Sequence, residues 1–143
     1  MNTRAETIGE KPTYKGAWRR CQLCLVPMQS FFEPCYETGK AVRTRISMAD
    51  GSPFAVAGLW REWQEEGGGV SHAFTQITIN ADEHPLMRRM HKPGDEKRSL
   101  VILPRERYGD WLACREPELA RAMLAPFPAE LMQTAPVKSA NAQ

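Results

Sequence analysis

Phe54-Ala55-Val56-Ala57-Gly58-Leu59-Trp60 is the stretch on which the fold turns. It carries no charge and is apolar enough to predict an interior β-strand. Just upstream, Val42–Met48 (VRTRISM) alternates, with Val42, Thr44, Ile46 and Met48 on one face and Arg43, Arg45 and Ser47 on the other. That pattern predicts a half-exposed strand. Asp50-Gly51 between the two is a turn signal, so the pair is expected to form a hairpin. Downstream, Gly67-Gly68-Gly69 reads as a turn and residues 71–80 (SHAFTQITIN) as a further β-branched strand. Leu23-Cys24-Leu25-Val26-Pro27 and residues 100–103 are short apolar strands, each stopped by a proline. Helices are expected over residues 13–20 with Thr13 as N-cap, 83–90, 105–114 and 116–124. Strands dominate the middle and helices the end, without regular β-α alternation. The class is α+β with a mainly antiparallel sheet.

The 143 residues suit one domain, able to bury roughly 70% of the surface of the unfolded chain. Residues 1–125 are expected to form it, and the Pro-, Ala- and Ser-rich residues 126–143 a flexible tail. Lys+Arg 19 against Asp+Glu 17 leaves +2, far from the excess of a protein that coats nucleic acid through bulk charge, so any such contact must be local. Four cysteines are too few for a disulfide scaffold, and no segment approaches the ~18 apolar residues of a membrane span. A reducing cytoplasm is the expected location, with no membrane partner.

Four features bear on chemistry. Cys21-x-x-Cys24 has the spacing of half a zinc site, but no second pair accompanies it, and Cys24 lies in an apolar run where cysteine packs as a small hydrophobe. No metal and no cofactor are expected. Glu33 sits among Phe31, Phe32 and Tyr36, where desolvation would raise its pKa and suit it to acid–base work; the alternative is a surface glutamate beside an aromatic patch. His91 stands where an apolar-periodic segment enters a charged, turn-rich loop through Arg98, and its near-neutral intrinsic pKa allows proton transfer. Arg88, Arg89 and Arg98 add local positive charge that either faces solvent or holds phosphates.

Taken in order, these pieces resemble the SRAP (SOS-response-associated peptidase) family. Asn2-Thr3-Arg4-Ala5-Glu6-Thr7 resembles its N-x-R-x-E-T signature, and residues 20–34 (RCQLCLVPMQSFFEP) its R-C-L-x-P-x-x-x-F-[FY]-E-W block. Residues 54–63 (FAVAGLWREW) resemble F-A-x-A-G-L-W-E-x-W, and residues 74–81 (FTQITINA) F-T-x-L-T-x-x-A. His91 with Val101-Ile102-Leu103-Pro104 is similar to H-x-R-M-P-V-I-L-P, and Tyr108-Gly109-Asp110-Trp111-Leu112 to Y-x-x-W-L.

The resemblance implies a barrel-like antiparallel sheet with short flanking helices and a groove for single-stranded DNA containing an abasic site. It implies a cysteine, exposed by removal of the initiator methionine, that closes a thiazolidine on the open sugar aldehyde, and a peptidase activity that releases that methionine. Carried over, Glu33 is the acid/base carboxylate, His91 the histidine assisting ring opening, and Asn2 the residue orienting the reacting terminus. Arg4 and, across an insertion, Arg98 are phosphate contacts; Trp60 and Thr78 line the same neighbourhood.

The departures are as specific. The chain begins Met1-Asn2-Thr3-Arg4 where the family's nucleophile belongs to a Met-Cys-Gly-Arg stretch, Pro34 replaces tryptophan after the glutamate, and residues 92–99 are insertion-like. The expectation is an N-terminally truncated member that recognises abasic DNA without the crosslinking cysteine. The alternative is a non-covalent single-stranded DNA-binding remnant without catalysis.

Overall fold

The structure, a computed structural model, describes residues 2–138. The strands are β1 (Asn2–Arg4), β2 (Leu23–Met28), β3 (Phe31–Cys35), β4 (Val42–Met48), β5 (Phe54–Gln64), β6 (Val70–Asn80), β7 (Arg98–Leu100), β8 (Ile102–Leu103) and β9 (Met132–Pro136). The α-helices are short: α1 (Lys15–Arg19), α2 (Tyr108–Ala113) and α3 (Pro117–Ala122). One curled sheet runs β1-β6-β5-β2, with β7 added to β6 and β8 to β5; a second runs β3-β4-β9. All pairings between these strands are antiparallel except β1 with β6. The α+β, half-barrel architecture agrees with the sequence reading.

The alternation of β5 explains the layering. Ala57 and Leu59 point into a core shared with Trp18 of α1, Trp111 of α2 and Ala120 of α3. Phe54 and Val56 point the other way, into a core shared with Phe31 and Cys35 of β3 and Ile46 of β4. The large sheet is thus covered by helices on one face and by the small sheet on the other. Each fully buried Leu or Ile of these cores is worth about 1.5–3 kcal/mol. Gly58 marks where β5 is tightest: a Cβ there would stand 2.9 Å from the Thr75 carbonyl oxygen and 3.0 Å from Cys24 Sγ. Only glycine admits that approach.

Several expectations need correction. Val42–Met48 and Phe54–Gln64 are both strands, but they do not form a hairpin: β4 pairs with β3 and β9, and β5 with β2, β6 and β8. Asp50-Gly51 turns the chain, with Gly51 at φ 76°, but turns it from one sheet into the other. Thr13 is not the cap of α1; Tyr14 holds that position, without a side-chain cap bond. Only Met87–Arg89 of the stretch 83–90 is helical, as one 3-10 turn, because the His84 ring accepts the Leu86 and Met87 amides that an α-helix would direct elsewhere. The expected tail supplies β9, whose Thr134 lies in register with Ile46, so burial of Met132 outweighs a polar composition. Residues 139–143, the remainder of that tail, lie outside the described residues. No helix of the described residues is long and apolar enough to cross a membrane.

Candidate acid–base pair and arginine cluster

Glu33 lies on β3 between Phe31 and Cys35, two residues from each, so its side chain leaves the strand on the side of their core. His91 follows the 3-10 turn Met87–Arg89 and is brought to β3 by the backbone. Met90 bridges to Cys35, Tyr36 N donates to Arg89 O at 3.3 Å, and His91 N donates to Pro34 O at 2.6 Å. The result is His91 Nε2 at 3.2 Å from Glu33 Oε2, with the side chains 31% and 21% exposed. Burial raises the Glu33 carboxyl above its ordinary pKa, and His91 opposes that shift. Partly enclosed yet open to a small substrate, such a pair can hold a proton on either partner and pass it to a bound molecule. Of the two readings the sequence left open for Glu33, the partly buried position is the one of a desolvated carboxylate. A shallow pocket of about 250 Å³ beside His91 is lined by Tyr36, Arg88, Arg89 and Lys97 among others.

The second cluster is electrostatic. Arg4 reaches Glu96 Oε2 at 2.8 Å, and Arg98 pairs with Glu6 at 2.8 Å and Glu96 at 3.3 Å. Thr78, buried on β6, orients Arg98 by accepting bonds at its carbonyl oxygen (2.8 Å) and Oγ1 (3.1 Å). Arg98 Nε is buried without a hydrogen-bond partner. Hydrogen bonds from Arg4 and Asn80 hold the Glu96 carboxyl below its ordinary pKa. Arg4, Thr78 and Arg98 therefore come together, and two carboxylates occupy their donors. Glu6, Glu96 and Lys97 were not singled out by the sequence reading. For Glu6 the available signal was its place in the N-x-R-x-E-T likeness, and for Glu96 only a carboxylate close in sequence to an arginine, an arrangement too common to select.

Among the described residues, no hydrogen bond or ion pair joins Asn2 or Trp60 to Glu33 or His91. Asn2 is exposed in β1, in register with Gln76 and not hydrogen-bonded to Glu33 or His91. Trp60 is half-buried, opposite Phe74, with its ring 6.3 Å from that of His72. No group of three or more His, Cys, Asp or Glu side chains that could hold a metal ion exists among the described residues. Cys24 packs against β5 beside Gly58, and burial pushes its thiol up to about 11, far from the thiolate a metal needs.

The model of the SOS response associated peptidase (SRAP) family matches residues 1–142. The chain is 32% identical over 145 residues to the abasic site processing protein YobE of Bacillus subtilis and 30% identical over 142 residues to YoqW of the same organism. In both comparisons 97% of this chain is covered; it spans 61% and 60% of the two relatives' length. Among solved structures, a Bordetella bronchiseptica protein shares 42% identity with a TM-score of 0.91, covering 96% of this chain and 65% of that one. A Bacteroides thetaiotaomicron protein shares 26% identity with a TM-score of 0.82, covering 96% and 58%. With its sheet pair, its motif order and these matches in agreement, the chain belongs to the SRAP family.

Proposed function

We propose that this chain recognises abasic sites in single-stranded DNA and assists opening of the damaged sugar through Glu33 and His91. The carrying observation is the pair itself: a carboxylate with a raised pKa and an imidazole 3.2 Å apart, delivered from positions 58 residues apart in sequence. An abasic sugar is mostly a closed hemiacetal. Opening it removes the proton of the anomeric hydroxyl and places one on the ring oxygen, so one partner accepts while the other donates. Arg4 and Arg98 would contact the flanking phosphates, with Thr78 holding Arg98; Asn2 would orient the reacting terminus and Trp60 line the groove. The names of the Bacillus relatives support this reading.

Thiazolidine formation joins a cysteine's terminal amine and thiol to the aldehyde and releases water. The four cysteines of these 143 residues stand at 21, 24, 35 and 114, and this reading rests on the proton-transfer pair and the arginines. The arginine cluster, taken without the acid–base pair, supports a second reading, non-covalent single-stranded DNA binding without catalysis. Peptidase activity, in the family's name, would draw on the same pair, since amide cleavage also requires a proton at the leaving nitrogen.

The test is binding of the 143-residue chain to single-stranded oligonucleotides with and without one abasic site, followed by fluorescence anisotropy, with a denaturing gel in parallel. Preferential, salt-sensitive binding to the abasic strand and no covalent adduct are expected. Equal affinity for both strands would support the second reading, and no binding at all would overturn both. Adding the Met-Cys-Gly-Arg segment of a family member should produce an adduct.

A further inference from the structure

We propose that Lys97 is a positioning residue that holds His91 against Glu33. His91 has φ 65°, in the left-handed region that a residue with a Cβ adopts only when its surroundings compel it. Two bonds compel it from opposite sides. Its N–H donates to Pro34 O at 2.6 Å, next to Glu33 in sequence, while Lys97 Nζ donates to His91 O at 3.0 Å and to Lys92 O at 3.0 Å.

Lys97 is itself anchored to the end of β6. Its N–H donates to Asp82 Oδ1 at 2.8 Å, its carbonyl accepts the Ala81 N–H at 2.7 Å, and Asp82 is set in turn by Asn80, whose Oδ1 accepts the Asp82 N–H at 2.9 Å. The ammonium thus ties the loop that begins at His91 to the rigid edge of the large sheet. Two neutral carbonyls rather than a carboxylate are its partners, so its contribution is directional: three tetrahedral donors on a long stem converge two successive carbonyls. Lys97 lies in the loop between His91 and β7, one residue before that strand begins.

The inference rests on the reading of Glu33 and His91 as a working pair, but its test needs no DNA. In NMR spectra of the full chain, Lys97→Met is expected to shift the His91 Cα and Cβ resonances away from left-handed values. It should also raise the pH at which the Glu33 carboxyl carbon titrates, because the imidazole that opposes the burial effect has moved away. The other charged groups lining the pocket beside His91, Arg88, Arg89 and Glu37, are unchanged in that variant. Lys97→Arg, which can donate to both carbonyls, should restore the His91 resonances. Lys92→Met removes one positive charge from the same loop without removing the bonds from Nζ of Lys97, and should leave both signals in place. Unchanged signals in Lys97→Met, or equal changes in Lys92→Met, would overturn the proposal. Should Lys97→Met not fold, the unmodified chain decides: a slowly exchanging Lys97 ammonium signal is expected, and a freely exchanging one refutes the tether. Failure of the chain to bind abasic DNA, with these signals as expected, would instead count against the functional reading alone.

Discussion

The two charged regions differ in how they are built. Glu33 and His91 are joined across the core side of β3, partly enclosed, and held by backbone bonds at Pro34, Cys35 and Tyr36. Of the second group, Arg4 and Glu6 are about half exposed, so water competes for their partners, while Arg98 is enclosed and held by Thr78. The first arrangement fixes a geometry and shifts a pKa. At Arg4 the second stores charge that an incoming anion can exchange at little cost, because exposed ion pairs contribute little to stability. Enclosure suits a step that needs a proton in one place, and exposure suits a surface that must release its internal partners to grip a phosphate.

The difference can be probed from its strongest side first. Replacing His91 with Ala should slow adduct formation on abasic DNA by about 100-fold or more, once a cysteine-bearing N-terminal segment is supplied, because general acid–base groups contribute 10²–10⁴. Single-turnover rates on denaturing gels read this; an unchanged rate would remove the pair from the mechanism. Next, Arg98→Met should weaken single-stranded DNA binding by about 10-fold at low salt and flatten the dependence of affinity on salt, as expected for a lost phosphate contact. A variant that changes affinity but not the salt slope would place Arg98 away from the backbone.

A smaller effect of opposite sign is expected at Glu96. Glu96→Gln frees Arg4 and part of Arg98 from an internal carboxylate, so affinity for DNA should rise by a few-fold while the melting temperature stays within error. Weaker binding would show that Glu96 builds the cluster and does not compete with the ligand.

The smallest effect is in stability. Burial raises the Glu33 pKa above the unfolded value of about 4.3, so the folded state holds that proton more tightly. Its contribution is present below that pH and lost as pH rises through the folded midpoint. Urea denaturation of the wild type and Glu33→Gln at pH 4 and pH 7 should therefore show the wild type losing ground to the variant on going up in pH. The opposite trend would mean that the imidazole outweighs burial.

How much of this was legible depends on the range of the interaction. Alternation placed Val42–Met48 to the residue, since a period of two is a property of consecutive side chains. Glycine turns at 51, 67 and 68 carry the positive φ values that their residue type allows. For Glu33 the neighbouring Phe31 and Phe32 left a desolvated carboxylate and a surface glutamate both open, Phe32 itself is exposed under Arg43, and the partner that answers Glu33 was not readable. Arg4 with Glu96, and Lys97 with the His91 carbonyl, were equally invisible, and Asn2 and Trp60 came from motif likeness alone.

The sequence by itself determined the local states: which stretches extend, which face of each is apolar, where the chain must turn, and which side chains could move a proton or hold a phosphate. Only the tertiary structure decided the partners. A strand's periodicity names its buried face but not the strand beside it, and β4 chose β9, more than 80 residues away, over its neighbour β5. The physical reason is that loop closure grows more costly only slowly with length, whereas leaving one face of a sheet uncovered costs every apolar side chain on it. Covering both faces of the large sheet put β3 and β4 opposite β5, and that placement brought Glu33 within reach of His91.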